Sequence, residues 1–109
     1  MRILKFIVEG STLKQDPSCN FKGLFPGANQ PIQAEFSFSE DWIGIPKVVG
    51  FYSMLDNEYP PQLIDENNRC MIPPEALERT AFKLKVLGRK HKTITPTNTI
   101  TVYQKGDPV

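Results

Sequence analysis

Residues 32–38 read IQAEFSF, which is the clearest strand signal in the chain. The apolar side chains of Ile32, Ala34, Phe36 and Phe38 alternate here with polar ones. Successive side chains of a strand point to opposite faces, so this alternation predicts a half-buried strand with one face on the core.

Short segments with similar strand signals lie on both sides of this stretch. The predicted set of about seven strands is 2–9, 32–38, 47–54, 62–64, 69–72, 82–87 and 98–104, with 12–15 and 93–95 as shorter additions. In the first strand, Leu4, Phe6 and Val8 share one face. Ile3 and Ile7 share the other, so we expect this strand to be covered on much of both sides.

The connections between these strands carry turn residues and two short helical signals. The polar residues 65–68 join 62–64 to 69–72, and the pair is predicted as a β-hairpin in which Asn67 or Asn68 supplies a positive φ. Ser39 is predicted to cap a single helical turn that reaches Trp42. Residues 73–79 are predicted as the one convincing helix, with Pro74 at its first position.

The spread of turn residues indicates the fold class. Ten prolines and seven glycines are distributed along the 109 residues, which suits many short strands and excludes long helices. A chain of this length has room for one core. We therefore predict an all-β (mostly β) single domain over residues 1–104, with 105–109 as a C-terminal tail. The expected architecture is an Ig-like two-sheet sandwich or a small barrel of about seven strands with one short helix.

Charge and hydropathy argue against two classes of partner. Thirteen Lys and Arg against twelve Asp and Glu give a net charge of +1, too small for a nucleic-acid or anionic-lipid surface. The one basic run, 89–92 (RKHK), is predicted as a solvated hairpin tip. Lys5 and Glu9 interrupt the apolar N-terminal segment, which is predicted not to be a signal peptide. We expect no nucleic-acid partner, no membrane insertion and synthesis in the cytoplasm.

The residues that usually carry catalysis or bind metals are scarce. His91 is the only histidine, and Cys19 and Cys70 are the only cysteines, at spacings that match no zinc-binding motif. Cys70 stands in an apolar run and is predicted to be a buried small hydrophobe. No acid lies within two residues of His91 to orient it as a catalytic base. We therefore expect no enzyme activity, no catalytic residues, no metal and no cofactor.

Aromatic residues are the remaining candidates for a binding surface. Trp42 follows directly on the alternating strand and is predicted to plug one end of the core. Residues in or beside loops are more available, in particular the irregular segment 23–31 and the corner at 59–61. The predicted interaction surface consists of Phe21, Phe25, Tyr59, Pro60 and Pro61.

Several motifs, taken in order, resemble a family of short bacteriophage proteins. They are 8–12 (VEGST), 34–42 (AEFSFSEDW), 47–52 (KVVGFY), 70–77 (CMIPPEAL), 82–88 (FKLKVLG) and 97–102 (TNTITV). The family comes from phages of Gram-positive and gut bacteria, and its members are minor structural or head-fibre-like proteins. The resemblance covers most of residues 1–104, and its strongest motifs are FSEDW and CMIPPE.

The resemblance implies a β-sandwich that is made in the bacterial cytoplasm and carried on the virion without enzyme activity. Other virion proteins and further copies of the chain are the implied partners. Because the chain ends soon after its last strand, we expect a decoration, head-fibre or tail-associated subunit rather than a fibre shaft. The alternative hypothesis is a carbohydrate-binding module for attachment to a host-surface glycan. That alternative requires two or more of Phe21, Phe25, Tyr59 and Trp42 to be exposed and coplanar.

Overall fold

The computed structural model of the protein describes residues 2–27 and 30–104. Within them the chain forms short strands, one helical turn α1 (Pro74–Leu77) and one 3-10 turn (Glu40–Trp42). The strands are β1 (Arg2–Glu9), β2 (Thr12–Gln15), β3 (Ile32–Phe38), β4 (Lys47–Tyr52), β5 (Gln62–Leu63), β6 (Arg69–Met71), β7 (Ala81–Lys90), β8 (Thr93–Pro96) and β9 (Ile100–Tyr103). The mostly β class is therefore confirmed, with nine strands in place of about seven.

The strands form two sheets that do not close into a barrel, so the sandwich alternative holds and the barrel alternative does not. The four-stranded sheet has the order β2-β1-β3-β6. Its central pair, β1 and β3, is parallel, because the chain turns back at Gly10 (φ 57°) to form β2 and then crosses to the other side of β1. The other pairs in this sheet are antiparallel.

The five-stranded sheet is built around β7, its longest strand. β5 and β4 lie on one side of β7, while β8 and β9 pair with successive halves of its other side. Thr97 bridges the break between β8 and β9. Its backbone N–H donates to the Val86 carbonyl (2.9 Å), and its hydroxyl accepts from the Val86 N–H (3.0 Å).

The core fills the space between the two sheets, as expected for layers that each bury one face. The fully buried aromatic rings come from both sheets: Phe6 and Phe36 from the four-stranded sheet, Phe51 and Phe82 from the five-stranded one. Phe6 and Phe36 stand opposite each other in the parallel pair and stack at 5.3 Å between centroids. The alternation predicted for residues 32–38 is confirmed, although Phe38 is only partly buried.

On one side of the sandwich, the Asn98 side chain makes the pair of backbone hydrogen bonds that a neighbouring strand would make. Asn98 Oδ1 accepts from the Leu13 N–H (2.6 Å), and its Nδ2 donates to the Leu13 carbonyl (3.0 Å). Because Leu13 is on the edge strand β2, this pair joins the edge of the four-stranded sheet to the β8–β9 connection.

The predicted hairpin between 62–64 and 69–72 is wrong. β5 pairs with β4 and β6 pairs with β3, so the two strands lie in different sheets. The turn itself is close to the prediction: Asn68 has the positive φ (60°), and the Asp65 carboxylate accepts from the N–H groups of Asn67 and Arg69. Each strand extends the edge of an existing sheet, and a two-stranded hairpin by itself is marginally stable.

Smaller predictions also need correction. Ser39 makes no side-chain capping bond to the turn it precedes; its hydroxyl accepts from the Gly10 N–H (2.9 Å) and donates to Asp41. The helix is one turn long, because the buried Gln104 side chain already satisfies the carbonyls of Leu77 (3.0 Å) and Arg79 (2.7 Å) at its end.

Two strand predictions were also too generous. The second face of β1 is only partly covered, with Ile3 and Ile7 half-buried and Lys5 exposed. β4 ends at Tyr52, two residues before its predicted end, where a tight turn built on Ser53 begins.

Candidate interaction surfaces

The structure separates the five residues of the predicted interaction surface. Phe21 is half-buried, with its ring edge-on to Phe6 at 5.5 Å. Tyr59 also packs against the core, whereas Phe25 is 48% exposed, and Pro60 and Pro61 are exposed. The sequence therefore predicted exposure correctly for three of these side chains, while two contribute to the core.

The Arg2 side chain holds the loop that carries Phe21 and Phe25. The Arg2 guanidinium donates to the carbonyls of Asn20 (3.1 Å), Lys22 and Gly23 (3.0 Å). Hydrogen bonds from a charged donor are stronger than neutral ones, so this anchor fixes the loop where β1 begins.

Pro60 lines a groove of about 550 Å³ on the side of the sandwich where β5 and β6 diverge. The remaining lining residues are Gly27, Gln30, Pro31, Gln62, Met71, Ile72, Pro73, Pro74, Glu75, Leu77 and Glu78. A second hollow of about 520 Å³ lies beside it and includes Tyr59, Met54 and Leu55. Both hollows are open and shallow compared with an enclosed ligand pocket.

A more continuous apolar surface lies on the outer face of the five-stranded sheet. Cross-strand register places four residues side by side, one from each of β5, β4, β7 and β8. We call this set the apolar row; its members are Leu63, Val48, Leu87 and Pro96. Leu63, at the β5 edge, is 79% exposed, and Ile94, two residues before Pro96 on β8, is 64% exposed. Val48 and Leu87, between them, are half-buried.

Polar residues on β7 and in the connection between β4 and β5 lie beside the apolar row. Lys83, Lys85 and Arg89 share the outer face of β7 with Leu87, because they are an even number of residues apart. Lys83 Nζ is 2.9 Å from the Asp56 carboxylate, and Glu58 stands opposite Tyr52 at the same end of the sheet. The Lys83 end of the outer face therefore carries two carboxylates together with Lys83 and Lys85, and Arg89 lies at the other end.

Tyr52 flattens the middle of this outer face. Its ring lies over Gly50, where an added Cβ would meet the Tyr52 hydroxyl oxygen at 2.6 Å. Lys85 Nζ lies 5.3 Å from the centroid of the same ring, a distance at which an ammonium group is attracted to the ring face. Gly50 therefore allows the Tyr52 ring to lie close to the strand beside the apolar row.

The outer face of the four-stranded sheet has a different character. Lys5, Glu35 and Arg69 form a row across β1, β3 and β6. Arg69 Nε donates to Glu35 at 2.8 Å, and Lys5 Nζ lies 3.9 Å from the same carboxylate. These charges satisfy each other within the chain.

Sequence reasoning missed the apolar row, although part of its signal was available. With Val86 inward, Leu87 must point outward, and adjacent Val48 and Val49 must point to opposite faces. The row itself could not be predicted, because Leu63 and Pro96 are far apart in sequence and only strand register brings them into line.

Trp42 lies in the 3-10 turn between β3 and β4, is 3% exposed and plugs the core as predicted. Its Nε1 donates to the Gly10 carbonyl at 2.7 Å. Gly88 lies directly under the ring: a Cβ there would come within 2.5 Å of Trp42 Cζ3. Tryptophan and glycine together close this end tightly.

Burial and hydrogen bonding shift the pKa values of two side chains, Cys70 and Asp16. Burial raises the pKa of the Cys70 thiol to about 12, and Asp65 adds to the shift. Hydrogen bonds from the Ser18 hydroxyl and N–H lower the pKa of Asp16.

His91 is exposed at the β7–β8 hairpin tip with φ 57°, so the predicted tip is confirmed.

The search for a metal site or a membrane span covers residues 2–27 and 30–104. There, no three side chains of His, Cys, Asp or Glu are grouped so that they could hold a metal ion. No helix in this part of the chain has the length and apolar character to cross a membrane.

The fold and its surfaces define a mostly β, two-sheet protein whose five-stranded sheet has a partly apolar outer face. A scan against protein-family models finds no matching family, and a search of the curated proteins finds no significant match.

Proposed function

We propose that the chain is a non-enzymatic structural or accessory protein of a bacteriophage particle, acting through protein–protein contacts. Two arguments support the proposal. The ordered motifs resemble phage minor structural proteins, and the two-sheet fold agrees with what that resemblance implies. The particle would place the protein among other virion proteins as a decoration, head-fibre or tail-associated subunit.

The observation that carries the proposal is the exposed apolar row on the outer face of the five-stranded sheet. Burying one large aliphatic side chain fully is worth about 1.5–3 kcal/mol, so Leu63 and Ile94 together offer a partner a sizeable gain. Contiguous exposed apolar surface rimmed by polar residues is typical of a protein–protein contact.

The alternative of a carbohydrate-binding module gains no support from the aromatic residues. Among residues 2–27 and 30–104, Phe25 is the only one of the four named aromatics that is clearly exposed. Trp42 lies in the core and Phe21 packs edge-on against Phe6. A flat stacking platform needs at least two exposed rings with a common plane, so the virion proposal is preferred.

The proposal is tested by fractionating infected bacteria. Particles are purified on a density gradient, and the chain is quantified by mass spectrometry in the particles and in the soluble lysate. We expect a fixed ratio of the chain to the major capsid protein across the particle peak, with a soluble host enzyme as the control for contamination. Finding the chain free in the lysate and absent from particles would refute the proposal.

A further inference from the structure

We infer that the groove where β5 and β6 diverge binds an extended polypeptide segment of a partner protein, with an apolar side chain in the groove and a Lys or Arg beside it. The inference adds a second contact surface to the proposed function and does not depend on the apolar row. Three features of the groove support it: an open strand edge, a rigid apolar lining and two carboxylates without a cation.

Met71, on the β6 side of the groove, has backbone groups available to a further strand. Ile72 donates its N–H to the Ile32 carbonyl (3.0 Å), and adjacent residues of a strand point their backbone groups in opposite directions. The N–H and C=O of Met71 therefore point away from β3. Neither group has a hydrogen-bond partner among residues 2–27 and 30–104. A donor and an acceptor on one edge residue match the backbone of an extended segment.

Other edge positions are already occupied. Arg69, two residues earlier on β6, donates its N–H to the Asp65 carboxylate (2.9 Å) and accepts the Asp65 N–H at its carbonyl (2.9 Å). Leu13, on the edge strand β2, is paired with the Asn98 side chain. Contacts of this kind block the addition of a further strand. Met71 has no such contact in the described part of the chain, and it lines the groove.

The lining of the groove is apolar and rigid. Four prolines contribute to it: Pro31, Pro60, Pro73 and Pro74. A proline has a fixed φ, so it loses little conformational freedom when a partner binds, and it has no N–H to compete for the backbone of the bound segment. The buried side chain of Leu77 adds apolar surface. An open, shallow groove of this composition suits an extended segment better than an enclosed small molecule.

Glu75 and Glu78 select the charge of the bound segment. They are three residues apart, in α1 and directly after it, and both line the groove. They are the only charged residues among those found to line it, and neither has an ion pair within the described residues. Arg79 lines the neighbouring hollow instead. A Lys or Arg of the segment therefore meets two carboxylates that have no cation of their own.

The first experiment measures peptide binding to the full chain by fluorescence anisotropy at low salt. The probe is a short fluorescein-labelled peptide in which valine and lysine alternate, and the comparison peptide has glutamate in place of lysine. We expect saturable binding of the lysine peptide and binding of the glutamate peptide that is weaker by about tenfold or more. Equal binding of the two, or no saturable binding of the lysine peptide, overturns the inference.

The second experiment locates the cation contact with paired substitutions. Glu75→Gln combined with Glu78→Gln should weaken binding of the lysine peptide by about fivefold, because it removes both carboxylate charges with little change of shape. The matched control is Glu9→Gln combined with Glu40→Gln, which removes the same charge from exposed residues that do not line the groove. The control should bind like the unaltered chain. An equal loss in both pairs would mean that only the net charge matters and would refute the contact in the groove.

The third experiment tests the strand edge without altering the chain. Amide hydrogen exchange is followed by NMR with and without a saturating amount of the lysine peptide. Exchange of the Met71 amide should slow by about fivefold or more, because the bound segment accepts its N–H. The internal control is the Ile94 amide, which points away from β7 at the edge of the other sheet. Unchanged exchange at Met71, or equal slowing at both amides, contradicts strand addition.

Sedimentation equilibrium distinguishes a partner segment from a second copy in the groove. A dimer that the lysine peptide dissociates would show that a second copy is the occupant and would overturn the choice of partner. These outcomes are separate from the virion role. Failure of the peptide tests overturns the inference even if the chain is found in particles. Binding as described, by a chain absent from particles, supports the inference and refutes the proposed function.

Discussion

The two outer faces of the sandwich are both built from alternating strands, but they carry different kinds of side chain. On the four-stranded sheet, Glu35 lies between Lys5 and Arg69, so that one carboxylate contacts two cations from the neighbouring strands. On the five-stranded sheet, β7 places Leu87 among Lys83, Lys85 and Arg89, and its neighbours add further apolar groups. The charged groups at the centre of the first face are paired within the chain, whereas the second face leaves Leu63 and Ile94 mostly exposed.

The largest expected effect is the difference in the free energy of unfolding between substitutions on the inner and the outer face of the five-stranded sheet. Phe82→Ala should lower the free energy of unfolding by about 3–5 kcal/mol, because the Phe82 ring is fully buried between the sheets. Leu63→Ala should change it by less than about 0.5 kcal/mol, since Leu63 is mostly exposed. Urea unfolding at a concentration where the chain is monomeric measures both. A large loss for Leu63→Ala would mean that the apolar row supports the fold rather than a partner.

A second effect concerns the closed end of the five-stranded sheet. Gly88→Ala should cost about 1–3 kcal/mol, because the new methyl group would overlap the Trp42 ring and press on Ile45. Ser37→Ala is the control, because Ser37 lies at an exposed strand position. Gly10→Ala is not suitable, since Gly10 has a positive φ. Thermal unfolding followed by Trp42 fluorescence reports the change. Unaltered stability of Gly88→Ala would contradict the tight packing under Trp42.

The third effect tests how well the four-stranded sheet covers its inner face. The Cys70 pKa is raised to about 12, so the folded state keeps the thiol protonated while the unfolded chain ionises near pH 9. Stability from this group is fully present below pH 9 and is lost as the pH rises towards 12.

Between pH 8 and pH 10 the unaltered chain should therefore lose about 1.4 kcal/mol more than Cys70→Ala. Urea titrations at the two pH values, compared between the two proteins, give this difference. Equal losses would show that the Cys70 thiol is accessible to solvent.

The smallest effect compares the charges of the two outer faces. Glu35→Gln should cost about 0.5–1 kcal/mol at low salt, because it breaks a partly exposed ion pair with Arg69, and less at high salt. Arg89→Gln should leave the stability of the monomer unchanged, since Arg89 has no ion pair among the described residues. Unfolding in dilute and in concentrated salt tests both variants. A salt-dependent loss for Arg89→Gln would remove the contrast between the faces.

Much of the fold could be predicted from local patterns. The alternation in 32–38 and 82–87 fixed the inward residues of β3 and β7, and Asn68 provided the positive φ of its turn. Sheet membership could not be predicted in the same way. The segments 62–64 and 69–72 look like hairpin partners, yet each pairs with a distant strand, because two open sheet edges compete for them.

The candidate surface was less predictable than the fold. Choosing aromatic and proline residues in loops identified the exposed Phe25, Pro60 and Pro61, but it also selected Phe21 and Tyr59, which pack on the core. A ring in a loop can bury itself when the loop is anchored, as Arg2 anchors the segment that carries Phe21.

By itself, the sequence determined the β class, the inward faces of β3 and β7 and the burial of Trp42, because these depend on side-chain alternation and local hydrophobicity. Only the tertiary structure decided the parallel pairing of β1 with β3, the separation of β5 from β6 and the apolar row. These features depend on register between strands distant in sequence. Register is set by how two whole sheets share one core, which no short segment encodes.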